Sequence, residues 1–139
     1  MLIESERLGS VEVDETKVLT FADGLLGFPD AQRFALVDAS DDGTYFWLQS
    51  LDDPHLAFLA AIPWAFFPDY EPELSRSDQE AMAITDPSEV MVLCLLTITE
   101  EAVTANLLGP LVVNAETREG RQIVLDNSDY SARVPLAAA

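Results

Sequence analysis

A chain of 139 residues, 49% of them hydrophobic, is long and apolar enough to bury one core, which excludes a disordered polymer. Twenty-five Asp and Glu against seven Lys and Arg give a net charge of −18. That balance excludes a phosphate-neutralising nucleic-acid surface and disfavours an anionic membrane, while favouring a basic protein partner whose approach it would steer.

The longest apolar run, Val90–Leu96, is far short of the roughly 20 residues of a membrane helix. The opening M-L-I-E-S-E-R places acids where a secretory leader carries basic and then apolar residues, so a cytoplasmic location is expected. A single cysteine, Cys94, excludes an internal disulfide, and its apolar neighbours predict a buried, inert thiol.

Leu2–Arg7 and Ser10–Asp14 alternate polar and apolar residues around Gly9, which predicts an N-terminal hairpin or a bulged strand. Lys17–Phe21 reads as the next strand. F-A-D-G-L-L-G-F-P (21–29) has two glycines for bends and several apolar side chains to bury, so it predicts an ordered loop packed on the core. It lacks the lysine and following helix of a phosphate-binding loop. Phe34–Val37 and Tyr45–Ser50 are strand candidates on either side of an acidic turn, Asp38–Gly43. Asp38, Ser40, Asp42 and Gly43 match positions 1, 3, 5 and 6 of a calcium loop, but position 12 is Gln49, which lacks the charge for bidentate coordination. A solvated hairpin turn is therefore expected, and no metal or cofactor.

Asp52-Asp53-Pro54 marks another turn, followed by the only histidine, His55. These three ionisable residues are the only plausible proton handlers, and they define an alternative: a small acidic ligand-binding or enzymatic barrel with carboxylates converging in a hollow interior. No nucleophile motif accompanies them, so no catalytic residue is assigned. Leu56–Ile62 is an apolar strand ended by Pro63. P-W-A-F-F-P-D-Y-E (63–71) then gathers Trp64, Phe66, Phe67 and Tyr70 beside Asp69, Glu71 and Glu73, a composition suited to an interface centre. At least two of the four aromatics are expected to fill the core.

Ser77-Asp78-Gln79-Glu80 has the capping-box pattern and predicts a short helix through Ala83. Val90–Ile98 is apolar in character, with Thr97 as its one polar residue, as for a central strand covered on both faces. Glu100-Glu101 form a turn. In T-A-N-L-L-G-P-L-V-V-N (104–114) two apolar runs meet at Gly109-Pro110, with Asn106 and Asn114 on either side. A turn at Glu119-Gly120 and a strand at Gln122–Leu125 follow. Residues 1–130 read as one domain, and 131–139 as a frayed tail. The whole predicts an all-β, mainly antiparallel fold: a small barrel-like or sandwich domain with one short helix near 77–83.

The ordered set of motifs resembles the flagellar assembly factor FliW family. G-S-V-E-V (9–13) is similar to its first strand, F-A-D-G-L-L-G-F (21–28) to its F-x-x-G-L-P-G-F, and F-W-L-Q-S (46–50) to its Leu-Gln-Ser run. P-W-A-F-F-P-D-Y-E-P-E-L (63–74) is similar to its aromatic Asp-Tyr segment, residues 104–114 to its T-x-N-L-x-A-P-I-V-I-N, and G-R-Q-I-V-L (120–125) with Tyr130 to its end. Leu26 stands where proline is usual, which would loosen the 24–28 loop, and Gly109 where alanine is usual. The resemblance implies a protein-binding regulator with no catalytic role. It implies two partners: the RNA-binding regulator CsrA, whose repression of flagellin translation is relieved, and flagellin itself, which competes for the same protein. The expected partner-binding residues are Asp69, Tyr70, Glu71, Asn106 and Asn114, with Tyr70 as aromatic anchor and the others as hydrogen-bonding groups to Lys or Arg.

Overall fold

The computed structural model describes residues 2–6, 8–125 and 129–136. Its strands are β1 (Leu2–Ser5), β2 (Gly9–Glu12), β3 (Leu19–Phe21), β4 (Arg33–Asp38), β5 (Tyr45–Ser50), β6 (Ala57–Ala61), β7 (Val90–Ile98), β8 (Val103–Ala105), β9 (Leu111–Asn114), β10 (Glu119–Gln122) and β11 (Val134–Pro135), and its one α-helix among the described residues is α1 (Arg76–Ala81). None of the described helices is long and apolar enough to cross a membrane.

The long apolar strand β7 closes the fold. Its first half, Val90–Leu93, pairs with β9, while Cys94–Leu96 pairs with β6 on the other edge. The ring β7-β6-β5-β4-β3-β10-β9 returns to β7 as a seven-stranded barrel, antiparallel except for the parallel β3–β10 pair. Closure removes the open edges that a sheet of this size would otherwise expose. β8 continues along the β9 side of β7, and β11 adds to β8. The hairpin β1–β2 forms separately, as its alternation predicts, and is pinned to the barrel by Ser5 and Glu6. The expected all-β, mainly antiparallel barrel with one short helix is what forms.

Alternation along β7 assigns its two faces. Leu93 joins Phe21, Phe34, Leu48, Leu111 and Val113 in one buried cluster, which the ring strands fill from all sides. Cys94 and Leu96 face a second cluster with Val112, Tyr70 and Ile84, roofed by the 63–84 segment. The interior is solid: a Cβ added to Gly120 would lie 2.6 Å from the Phe21 ring. Asp52, Asp53 and His55 lie exposed in the β5–β6 turn. Among the described residues, Asp52, Asp53 and His55 therefore do not converge in the barrel interior, as the alternative ligand-binding barrel requires.

Several boundaries differ from expectation, each for a visible reason. The helix cap is Ser75, not Ser77: the Ser75 hydroxyl accepts the Asp78 amide at 3.1 Å and donates to the Asp78 carboxylate at 2.8 Å, so α1 starts two residues early. It ends at Ala81, before Ala83 turns left-handed at φ 54°. The turn expected at Glu119-Gly120 falls earlier, because the Asn114 side chain accepts the amides of Glu116 and Thr117. Glu119–Gln122 is then free to pair with β3 and β9. Lys17 belongs to a 3-10 turn capped by Asp14, and the strand begins at Leu19. The tail does not fray over 131–136: Val134 and Pro135 pair with Ala105 and Thr104, and the Ser131 carbonyl accepts the Leu107 and Leu108 amides. Residues 137–139 lie outside the described residues.

Candidate protein-binding surface

Pro63 ends β6 and opens a 3-10 turn, from which the aromatic segment crosses the outer face of β7 and β9. Tyr70 holds that crossing in place. Its hydroxyl donates to the Leu107 carbonyl at 2.7 Å, its own carbonyl accepts the Trp64 indole N–H at 2.8 Å, and its ring meets Tyr130 edge-on at 4.7 Å. The Tyr130 hydroxyl in turn accepts the Glu71 amide at 2.9 Å. Tyr70 is only 4% exposed, and burial pushes its hydroxyl pKa up. The expected aromatic anchor is thus an interior fastener. Phe66 and Phe67 also pack on the core, so the aromatic that reaches solvent is Trp64, at 42% exposure.

Asp69 and Glu71 flank Tyr70 and are both exposed. Glu71 borders a hollow of about 440 Å³ lined by Trp64, Tyr70, Leu74, Ile84, Val92 and Val112. An apolar hollow with an aromatic lip and a carboxylate at its edge can take an apolar side chain and a neighbouring cation.

The two asparagines are not part of that hollow. Asn106 is half-buried and its side-chain oxygen accepts the Gly109 amide at 2.9 Å, shaping the bend before Pro110. Tyr70 reaches its neighbour Leu107, so Asn106 lies one residue from the aromatic fastener. Asn114 is 2% exposed; its amide donates to the Met82 carbonyl at 2.9 Å and its oxygen takes the two turn amides. Its bonds are internal, and it presents nothing to a partner.

Other motif residues are also structural. Gln49 is fully buried: its oxygen accepts the Ser5 hydroxyl at 2.6 Å and its amide donates to the carbonyls of Ser50 and Leu56. The Leu-Gln-Ser run therefore ties the N-terminal hairpin to the barrel, and Gln49 is unavailable to the 38–43 turn. In that turn the Ser40 hydroxyl and Thr44 amide donate to Asp42, holding its carboxyl below the usual range. Among the described residues no group of three or more His, Cys, Asp or Glu is arranged to hold a metal ion. Asp52 accepts the Gln32 and Arg33 amides, and His55 pairs with Glu6, which raises the imidazole pKa. Cys94 is buried, and desolvation pushes its thiol up to about 11.

Gln122 joins the two positions that depart from the family pattern. In the 24–28 loop Leu25 and Phe28 exchange backbone bonds across Leu26-Gly27, with Gly27 at φ 84° as in a type II turn. Proline suits the Leu26 position of such a turn, but here the Leu26 amide donates to the Gln122 side chain at 2.8 Å. The other end of Gln122 donates to the Gly109 carbonyl at 3.0 Å. The loop is thus tied by a hydrogen bond where the family pattern has a ring. Leu26 and Val124, at 61% and 41% exposure, carry no signal in sequence that sets them apart from core residues.

The sequence model of the family described as FliW protein matches residues 2–136. A protein from Bdellovibrio bacteriovorus named flagellar assembly factor FliW is 39% identical over 138 residues, covering 98% of this chain and 79% of its own. One of the same name from Natranaerobius thermophilus is 40% identical over 140 residues, covering 98% and 92%. A crystal structure of the flagellar assembly factor FliW superposes with a TM-score of 0.90 at 31% identity, covering 99% of this chain and 98% of that one.

Proposed function

The chain belongs to the FliW family of flagellar assembly factors, and on that premise we propose that it works without catalysis, by binding CsrA and flagellin in turn. Bound to CsrA, it relieves repression of flagellin translation; free flagellin displaces CsrA and stops further synthesis. Such an exchange takes place in the cytoplasm, without direct contact to nucleic acid or membrane. The observation that carries the reading is the family match from residue 2 to residue 136. The charge of −18 supports it, since an RNA-binding regulator is basic where it holds phosphates.

Of the five expected site residues, the exposed Asp69 and Glu71 are the ones that meet Lys or Arg directly, Glu71 at the edge of the Trp64-lipped hollow. Tyr70 serves the site by holding its backbone, while Asn106 and Asn114 brace backbone outside it, at Gly109 and Met82. Titration calorimetry against CsrA and against flagellin, each at two salt concentrations, tests the proposal. Both are expected to bind, to compete, and to weaken steeply with salt, and Asp69→Lys with Glu71→Lys to weaken at least one of them about tenfold. Failure of both proteins to bind would overturn it.

A further inference from the structure

We propose that the groove between α1, residues 71–75 and residues 123–125 docks one cationic amphipathic helix of a partner protein; this rests on the reading that the chain acts by binding proteins. The groove is a hollow of about 770 Å³ that adjoins the Trp64-lipped one, sharing Glu71 and Leu74 with it. Leu74, Ile123, Val124 and Leu125 line it as an apolar floor, with Tyr130 as one wall. Glu71, Glu73, Asp78 and Asp129 also line it, and no Lys or Arg among the described residues does. It continues into a neighbouring hollow of about 540 Å³ that shares Asp78, Ile123 and Val124 and reaches the exposed Leu26. Arg121 lies at that far end.

Charge and apolar surface together select the occupant. A second copy of a chain carrying −18 is repelled, and so is any acidic segment. A purely basic segment leaves Val124 and Leu26 uncovered. A strand gains little, because the Ile123 and Leu125 amides are given to the Pro110 and Leu108 carbonyls, which leaves the Val124 peptide alone to face outward along the floor. What remains is a helix with an apolar stripe and flanking Lys or Arg, its stripe on the floor and its cations against the acidic walls.

Fluorescence anisotropy with the full chain tests this. The probe is a labelled helix of about 14 Leu and Lys residues, roughly 21 Å long, with Leu at i, i+3, i+4 and i+7. A second peptide has the same composition shuffled to break the stripe. The striped peptide is expected to bind about tenfold more tightly than the shuffled one. Glu73→Lys with Asp129→Lys is expected to cost about tenfold, and so is Val124→Asp alone. Glu100→Lys with Glu101→Lys makes the same charge change in the β7–β8 turn and is expected to cost less than about threefold. Equal binding of the two peptides, or equal loss from the two charge reversals, would overturn the groove. CsrA and flagellin separate the two proposals. If both bind and neither responds to Glu73→Lys with Asp129→Lys, the groove falls and the partner assignment stands. If neither binds while the striped peptide keeps its positional dependence, the partner assignment falls and the groove stands.

Discussion

Alanine at Gly24 and alanine at Gly27 separate backbone strain from collision within one loop. Both glycines are left-handed, at φ 69° and 84°. Alanine in that region costs ~1–2 kcal/mol, offset in part by ~0.4–1 kcal/mol from a stiffer unfolded chain. At Gly27 that is the whole effect, because an added Cβ meets nothing within 4 Å. At Gly24 the Cβ would lie 2.5 Å from the carbonyl oxygens of Phe28 and Pro29 and 2.6 Å from the Pro29 carbonyl carbon. These are backbone atoms, and the Phe28 oxygen is held by the amides of Leu25 at 3.1 Å and Ala31 at 3.2 Å. Relieving the overlap stretches those bonds, at ~1 kcal/mol each, or strains the loop by ~1–3 kcal/mol. Gly27→Ala should therefore cost about 1 kcal/mol and Gly24→Ala about 2–4 kcal/mol. With a urea slope of about 2 kcal/mol/M, the two unfolding midpoints should differ by about 0.5–1.5 M. Coincident midpoints would show that the loop yields freely and would refute the reasoning.

Gln49→Leu should lower stability by about 2 kcal/mol or more in chemical denaturation, because it strips the Ser5 hydroxyl of its acceptor inside the wall. A loss under about 0.5 kcal/mol would mean that the hairpin is not held there. The His55–Glu6 pair should make the N-terminal hairpin pH-sensitive. The folded imidazole pKa is raised above 6.5, so the pair's contribution is complete below pH 6.5 and is lost as pH rises through the folded value. Proteolysis of the hairpin should therefore quicken above neutrality in the parent but not gain that dependence in His55→Asn; identical pH profiles would count against the pair. Leu26→Pro and Gly109→Ala should be coupled: proline removes the amide that holds Gln122, while an alanine Cβ would press within 3.2 Å of the other end of that side chain. In a double-mutant cycle the pair should be about 0.5–1 kcal/mol more stable than the sum of the singles, and additivity would refute a shared Gln122.

Where one physical signal dominated, the elements were legible to the residue. Val90–Ile98 is read whole because seven apolar residues in a row, Val90–Leu96, suit a strand covered twice, and Thr97 and Ile98 carry it on to its exposed end. Tyr45–Ser50 is bounded by turn residues on both sides and falls into place for that reason. Elements defined by a distant partner were not. Val134-Pro135 looks like loose chain, since proline cannot donate to a ladder; it becomes a strand only because β8 offers an edge about thirty residues away. β10 shifts because one side chain, Asn114, captures two amides and ends the preceding turn early.

The site was less legible than the fold, and the reason is chemical. A polar residue in a distinctive motif reads equally well as a hand extended to a partner or as an internal tie, because both uses need the same donors and acceptors. Gln49, Tyr70 and Asn114 all proved to be ties, each buried with its polar atoms engaged by backbone or by Ser5. Burial is costly for such groups unless every bond is met, so each demands a fixed geometry around it and leaves a recognisable motif. Glu73, Val124 and Asp129 answer to no such demand. They line a groove by position alone, and any acid or apolar residue of similar size would read the same in sequence. Motifs in this chain therefore mark what holds the barrel and its roof together, while the proposed docking groove is found by asking which apolar floor the finished fold leaves open among its acids.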